Sequence, residues 1–388
     1  MSSTRLPASL VPTPLAAAVA ARRRAPGRLV DLTCSNPTLA GLAYPKTLAS
    51  AWSNVASLRY DPEPRGMRSA RDAIAAWHAT VGEAVPADNL VLTASTSEAY
   101  SLLFKLLCDP GDHVLVPCPS YPLFEHLAHL DAVQVHRYTF RDAGDWVLDQ
   151  AGLQAAVTPR TRALIVVSPN NPTGNVPTAR EWDAIADVCR RHQLALIVDD
   201  VFAAYPIDAT RGHLITPDLD DVLMFRLHGL SKLIALPQAK LAWIRVTGPA
   251  SPVAAALEAL ELIADTYLSV STPVQVALPE LLEAGRPVRQ QILDRIRLNL
   301  SHIARRVAGS AVDVRRPDGG WSVVLRVPCL GEPDQLPLAL LERGVLVHPG
   351  YFYDLPHDGY VVISLLAPEA DVQEGLDALC TLPLLHST

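Results

Sequence analysis

The chain has 388 residues, 49% hydrophobic and 19% charged, and this composition excludes wholesale disorder. Its net charge of −7 is unfavourable for a general binder of nucleic acid or of an anionic membrane, and we predict neither partner. The six cysteines are scattered and lack the spacing of a zinc site, so we expect reduced thiols, no metal and a cytoplasmic protein. An apolar stretch before Arg22 leaves a mitochondrial-type address as an alternative.

From residue 90 onward, short apolar runs alternate with helical patterns. We predict strands at Leu90–Thr93, Val114–Pro117, Val133–Tyr138, Ala163–Val167, Leu194–Val198, Val222–Leu227 and Leu241–Val246. Helices are predicted between them, for example at Ser97–Leu107 and Thr178–His192, the second with a capping box of Thr178 and Glu181. Such alternation indicates an α/β domain whose mostly parallel sheet of seven strands carries helices on both faces.

The pattern changes near residue 285. A long helical pattern, Val288–Val307, is followed by strand-like Val312–Arg315, Ser322–Val327 and Tyr360–Leu366, and by a last helix near Glu369–Leu379. We therefore predict a large domain over residues 51–284 and a small α+β domain over 285–388. The N-terminal segment, 1–50, is expected to join the small domain in part.

Three polar residues follow successive predicted strands of the large domain: Asn171, Asp199 and Lys232. Ligands of parallel sheets bind at the carboxyl ends of the strands, so we expect these side chains to share one site. A lysine, a carboxylate and an amide together suit an aldehyde cofactor such as pyridoxal phosphate (PLP). Because a carboxylate after an apolar strand is costly unless it is paired, we also expect a buried cationic partner for Asp199.

In this order and at these spacings, the motifs resemble those of the class I/II aminotransferases, which use PLP on the fold called type I. The resemblance runs from about residue 30 to the end. It implies that the cofactor is pyridoxal 5'-phosphate and that an amino group moves from an amino acid, or a related amine, to a 2-oxo acid. It implies that Lys232 holds the cofactor as a Schiff base and acts as the catalytic base. Asp199 would keep the ring nitrogen protonated, and Asn171 would bond the ring hydroxyl.

The resemblance also implies further cofactor-binding positions, which are Ser95, Thr96, Ser97, Tyr121, Phe202, Ser231 and Lys240. The three residues from Ser95 lie in a phosphate-binding turn at a helix start, and Tyr121 would stack on the ring. Tyr60 resembles a tyrosine that reaches the phosphate of the neighbouring subunit. This implies a homodimer with shared active sites.

Four positions depart from the family pattern, and one is Gly229, which replaces a serine that commonly binds the phosphate. Lys240 stands where an arginine usually binds the phosphate, and lysine lacks the bidentate fork. Phe202 replaces a tyrosine that usually bonds the ring oxygen, which predicts a raised imine pKa unless Tyr205 substitutes. Val362 occupies the place of the arginine that holds the substrate carboxylate, and a valine cannot do so. The candidate substrate contacts are then Asn36, Arg326 and Tyr351, and we expect Tyr353 to line the mouth of the site with Tyr351.

The Val362 departure leaves other PLP reactions open on the same scaffold, namely β- or γ-elimination, cyclisation and decarboxylation. A non-catalytic PLP-binding module is a further alternative.

Overall fold

The computed structural model describes residues 3–7, 11–356 and 359–385, so parts of the predicted N-terminal segment and of the predicted small domain lie outside the described residues. The strands are β1 Val30–Asp31, β2 Leu90–Thr93, β3 His113–Cys118, β4 Gln134–Asp142, β5 Trp146–Leu148, β6 Thr161–Val167, β7 Ala195–Asp199, β8 Met224–Gly229, β9 Ala242–Thr247, β10 Asp313–Arg315, β11 Ser322–Arg326, β12 Val345–Leu346, β13 His348–Pro349 and β14 Tyr360–Ser364.

The α-helices are α1 Pro14–Arg24, α2 Lys46–Ser50, α3 Arg68–Thr80, α4 Thr96–Leu107, α5 Leu123–Leu130, α6 Gln150–Ala156, α7 Ala179–His192, α8 Leu230–Leu233, α9 Ala250–Asp265, α10 Thr272–Ala284, α11 Arg286–Val307, α12 Gln335–Glu342 and α13 Glu369–Cys380. Short 3₁₀ helices lie at Pro37–Leu39, Ala51–Ser53, Val55–Leu58, Ala87–Asn89, Pro237–Ala239, Gly350–Tyr353 and Pro383–Leu385. Within the described ranges, no helix combines the length and apolar character needed to cross a bilayer.

Eight of the described strands form one large sheet in the order β2-β9-β8-β7-β6-β3-β4-β5. β8, β7, β6, β3 and β4 run parallel, and β9 lies antiparallel between β2 and β8. The mostly parallel α/β sheet is confirmed, but the predicted count of seven strands is one too low. The additional strand, β5, has three residues and folds back on β4, and so short a run gives little periodic signal.

Successive side chains of β6 enter different cores, as the two-residue repeat of a strand requires. Leu164 packs in the core that contains Trp182 of α7. Ile165 packs in the core that contains Leu103 of α4 and Leu260 of α9. Helices therefore cover both faces of the sheet, and its carboxyl edge is left to present functional groups.

A second sheet of four antiparallel strands, in the order β10-β11-β14-β13, lies in the C-terminal part of the chain. The N-terminal segment is tied to this part, since β1 pairs in parallel with β12. The Ser364 N–H donates to the Leu32 carbonyl at 2.7 Å, and Ser364 Oγ donates to the Cys34 carbonyl at 2.6 Å. Residues 30–34 thus lie against the small sheet, while the limits of the domains stay a prediction.

Candidate active site

The carboxyl ends of β2, β3, β6, β7 and β8 surround a cavity of about 430 Å³. Nine of the predicted site residues line it, namely Ser95, Thr96, Ser97, Tyr121, Asn171, Asp199, Phe202, Ser231 and Lys232. β11, β13 and β14 of the second sheet close the other side, where Ser322, His348 and Val362 line the cavity. Parallel strands end at one edge, which is why side chains far apart in sequence meet here.

Asp199 is buried at the end of β7, where it is 8% exposed. Its Oδ2 accepts a hydrogen bond from the Tyr100 hydroxyl at 3.1 Å, and its Oδ1 accepts one from the Val201 N–H at 3.2 Å. Burial raises the pKa of Asp199 to about 6, although these donors and Lys232 oppose the rise. The carboxylate is thus held in a setting where a further cationic group nearby would stabilise its ionised form.

The next carboxylate, Asp200, has a buried arginine as its partner. Arg226 Nε donates to Asp200 Oδ2 at 2.6 Å, and the Thr216 hydroxyl donates to Asp200 Oδ1 at 2.6 Å. Consecutive residues at a strand end point to opposite sides, so Arg226 pairs with Asp200 and Asp199 faces the cavity. The buried cation that acts on Asp199 is Lys232, which attracts this carboxylate without forming a described hydrogen bond to it.

Lys232 lies in α8, the single turn that follows β8. Its Nζ is 5.0 Å from the centre of the Trp321 ring and 5.6 Å from that of Phe202. Burial lowers the pKa of Lys232, and the attraction of Asp199 only partly opposes this. A lysine held among aromatic rings with a lowered pKa is more readily a neutral nucleophile or base than a lysine in water.

The first turn of α4 presents unused backbone donors to the cavity. Ser95 caps the helix, because its Oγ accepts from the Glu98 N–H at 3.1 Å, and Glu98 Oε2 accepts from the Ala94 N–H at 2.6 Å. Among the described residues, the N–H groups of Thr96 and Ser97 have no protein partner, as expected for the first positions of a helix. The positive end of the helix and three hydroxyl side chains make this turn suitable for an anion.

Asn171 and Phe202, which are both predicted to contact the cofactor ring, have different surroundings. Asn171 lies in the turn after β6, and its Oδ1 accepts from the Ser322 hydroxyl at 3.5 Å. Phe202 lines the cavity, whereas the Tyr205 hydroxyl donates to the carbonyls of Lys232 at 2.5 Å and Leu233 at 3.3 Å. Tyr205 supports the backbone of the lysine and does not replace a hydroxyl at Phe202.

Five predicted positions do not line this cavity: Lys240, Tyr60, Asn36, Arg326 and Tyr351. Lys240 is exposed, with a left-handed backbone at φ 52°. Asn36 caps a 3₁₀ helix by accepting from the Thr38 N–H, and the Tyr351 hydroxyl donates to Asp334 at 2.7 Å. Tyr60 is 74% exposed and lines a separate surface hollow beside Leu268.

Arg326 lies at the wrong end of its strand to reach the cavity. It pairs with Tyr360, whereas Ser322, which lines the cavity, pairs with Ser364. At roughly 3.3 Å per residue, four steps along β11 separate Arg326 from Ser322 by about 13 Å. The side chain of Arg326 is exposed and lines a different hollow, with Asp313.

Tyr353, which is predicted at the mouth of the site, lines the cavity. Sequence reasoning missed several other residues that line it: Thr33, Ser35, Tyr100, Trp321, Ser322, His348 and Ser364. Tyr100 had a usable signal, because it lies one helical turn after Ser97 and so on the same side of the helix. The others come from strands and turns of the second sheet or from the N-terminal segment, and only the tertiary arrangement brings them here.

Comparison with known proteins agrees with this geometry. The profile of the aminotransferase class I and II family matches residues 55–379. The chain belongs to this family. The predicted family is thus confirmed. Members of this aminotransferase family depend in general on PLP.

A glutamate–pyruvate aminotransferase of Escherichia coli is 28% identical to this family member over 267 residues, which are 68% of this chain and 66% of that protein. The match thus spans just under two thirds of the relative's length. An arginine–pyruvate transaminase of Pseudomonas aeruginosa is 30% identical over 332 residues, 83% of this chain and 82% of that protein. An alanine aminotransferase structure from Pyrococcus furiosus superimposes with a TM-score of 0.87 at 23% identity, covering 97% of this chain and 98% of that one. The predicted type I fold is confirmed.

Proposed function

We propose that this chain is a PLP-dependent aminotransferase that moves an amino group from an amine or amino acid to a 2-oxo acid. The observation that carries the proposal is the placement of Lys232 and Asp199. They lie at the ends of neighbouring parallel strands and face one cavity, and burial lowers the pKa of Lys232 and raises that of Asp199. Groups perturbed in this way inside a cavity are typical of catalytic sites.

The residues present fit PLP at its aldehyde, at its ring nitrogen and at its phosphate. The Lys232 amine would hold the aldehyde, and the Asp199 carboxylate would face the ring nitrogen. The α4 N-terminus, with Ser95, Thr96 and Ser97, would bind the phosphate. When bound, the cofactor supplies an aldehyde that takes up the amine and a cationic ring that accepts electrons from the substrate carbon.

The protein's own part is to place groups and to move one proton. Lys232 Nζ, with its lowered pKa, would take the proton from the substrate carbon and return it on the cofactor side. Asp199, oriented by the Tyr100 hydroxyl, would keep its charge when a cationic ring is beside it. Tyr121 would stack on the ring, and Asn171 would bond the ring hydroxyl. Phe202 offers no hydrogen bond there.

The surface supports a homodimer, which would bring Tyr60 of one subunit toward the phosphate of the other. Large apolar side chains lie exposed on and around the 3₁₀ helix Val55–Leu58, which packs against α10; they are Trp52 38%, Val55 77%, Leu58 84%, Tyr60 74% and Leu268 37% exposed. An apolar patch of this kind is typical of a surface buried by a partner. Cys34, Cys108, Cys118 and Cys189 are free thiols, which favours the proposed cytoplasmic location.

The decisive experiment is an absorbance spectrum of the purified protein with PLP, before and after adding amines and amino acids without an acceptor. Transamination predicts that the visible band bleaches and that mass spectrometry finds one new carbonyl compound and no free ammonia. Release of ammonia would indicate an elimination reaction instead. Lys232→Ala should abolish the band, whereas Lys46→Ala, outside the cavity, should keep it. A wild-type protein that takes up no PLP would refute the assignment of Lys232 and Asp199.

A further inference from the structure

The cavity wall formed by the second sheet is aliphatic at its β14 strand. Val362 lines the cavity and pairs with Val324 of β11 on one side and His348 of β13 on the other. Val362 is only 2% exposed and packs in the same core as Val324 and Tyr360. Its place in the wall is therefore fixed by two strand pairings and by the core behind it.

The polar groups around Val362 are uncharged. Ser322 and Ser364 line the cavity at the ends of their strands. The His348 Nδ1 lies 2.9 Å from the Tyr353 hydroxyl. Burial lowers the pKa of His348 and raises the pKa of Tyr353 to about 12, so this pair is neutral near neutral pH. The wall thus offers hydroxyl groups, a neutral imidazole and aromatic rings.

Among the described residues that line the cavity, the charged side chains are Asp199 and Lys232. The proposed function uses both for the cofactor. A carboxylate placed against the Val362 wall would lose its hydration without gaining an ion pair. A neutral group of the same shape would lose much less hydration free energy. An amide could form hydrogen bonds with the hydroxyl groups of this wall, and an alkyl group could pack against its apolar side chains.

We propose that this cavity favours a primary amine whose amine-bearing carbon carries neutral groups over the free amino acid of the same shape. The inference rests on the proposed function, because it concerns the amine that is exchanged there. The amine R–CH(NH₂)–R′ becomes the ketone R–CO–R′, and a 2-oxo acid takes up the amino group and becomes an amino acid. One amino group and one carbonyl oxygen change places, so no further oxidant is required. The 2-oxo acid meets the same wall, and its KM is expected to be high.

The test compares L-alanine with L-alaninamide and 2-aminopropane, which replace the carboxylate by an amide and a methyl group. With the PLP-loaded wild type, each neutral amine should bleach the visible band with at least about tenfold greater efficiency than alanine. Val362→Arg should raise the efficiency with alanine about tenfold or more and lower it with both neutral amines. Val362→Gln, which is long but uncharged, is the matched control and should not favour alanine.

A binding measurement separates this inference from the proposed function. Isobutyrate and isobutyramide cannot donate an amino group, and calorimetry on the PLP-loaded enzyme reports their affinities directly. The wild type should bind the amide more tightly, and Val362→Arg should reverse the order. A wild type that prefers alanine and isobutyrate would overturn the inference while leaving aminotransfer intact. If no amine bleaches the band, the proposed function fails. The affinities for isobutyrate and isobutyramide still show whether the Val362 wall favours a neutral group over a carboxylate. If Val362→Arg does not fold, the two wild-type comparisons decide alone.

Discussion

Replacing Asp199 by Asn should stabilise the cofactor-free protein above about pH 6. The folded-state pKa of Asp199 is about 6, against an ordinary value of 3.8, because burial disfavours the charged form. The folded chain therefore holds this proton more tightly than the unfolded chain does. The stability contributed by the protonated acid is present at low pH and is lost as the pH rises from about 4 to about 6.

The size of the effect follows from that difference in pKa. Each pKa unit corresponds to about 1.4 kcal/mol, so an ionised Asp199 lowers the free energy of unfolding by about 3 kcal/mol. The amide of Asp199→Asn avoids this penalty. For 388 residues, with an unfolding entropy of about 2 cal/mol/K per residue, the gain corresponds to a rise in Tm of roughly 4 °C.

The assay is thermal unfolding of the cofactor-free protein at about pH 4 and about pH 7.5, with Tyr100→Phe as the comparison variant. Removing the Tyr100 hydroxyl, 3.1 Å from Asp199, leaves the ionised carboxylate with one donor fewer. A hydrogen bond to a charged group contributes about 1.5–3 kcal/mol, so Tyr100→Phe should lower the Tm at the higher pH, the opposite of Asp199→Asn. Added PLP should raise the Tm of the wild type more than that of Asp199→Asn. An Asp199→Asn variant that is equally stabilised at both pH values, or destabilised at the higher one, would refute the reasoning.

Three further outcomes are expected. Phe202→Tyr adds a donor beside the bound cofactor and should lower the pKa of its lysine-linked chromophore, and a spectrophotometric titration with an unchanged or higher pKa would contradict this. Arg226→Met leaves the buried Asp200 without its cation and removes one of the two arginines that bind the buried Glu83, so it should cost about 3–5 kcal/mol in urea unfolding; a loss under 1 kcal/mol would show that the network is not needed. Gly174→Ala brings a Cβ to 2.2 Å from Pro317 Cβ and should lower the Tm more than Gly144→Ala, where nothing lies within 4 Å of the added Cβ. Equal shifts in Tm would contradict this, because they would show that the steric contact adds nothing to the backbone strain that both variants share, at φ 69° for Gly174 and 99° for Gly144.

The strands of the large sheet could be predicted closely because they are buried on both faces and read as continuous apolar runs. The predicted strand Leu90–Thr93 has the same limits in the structure, and the capping box of Thr178 and Glu181 starts α7 as predicted. Because parallel strands place their carboxyl ends at one edge of the sheet, residues that follow those strands should lie close together. This is why we expect Asn171, Asp199 and Lys232 to share one site.

The far wall of the cavity could not be predicted, because its residues are selected by register in another sheet. Ser322 reaches the cavity and Arg326 does not, although both lie on one predicted strand. The choice depends on which end of β11 lies near β7 and β8, and no local pattern records that. Tyr205 shows the same limit, since its hydroxyl turned out to bond the carbonyl of Lys232 and not to enter the cavity.

The tie between the N-terminal segment and β14 has a consequence for how the protein is made. Thr33 and Ser364 both line the cavity, and the bond between Ser364 Oγ and the Cys34 carbonyl joins positions 330 residues apart. During synthesis from the amino end, Thr33 leaves the ribosome long before Ser364 exists. The large sheet can form in the meantime, since domains generally fold as units as they emerge. The substrate side of the cavity is completed only when the last strand docks, so a nascent chain that already carries Lys232 still lacks a finished pocket.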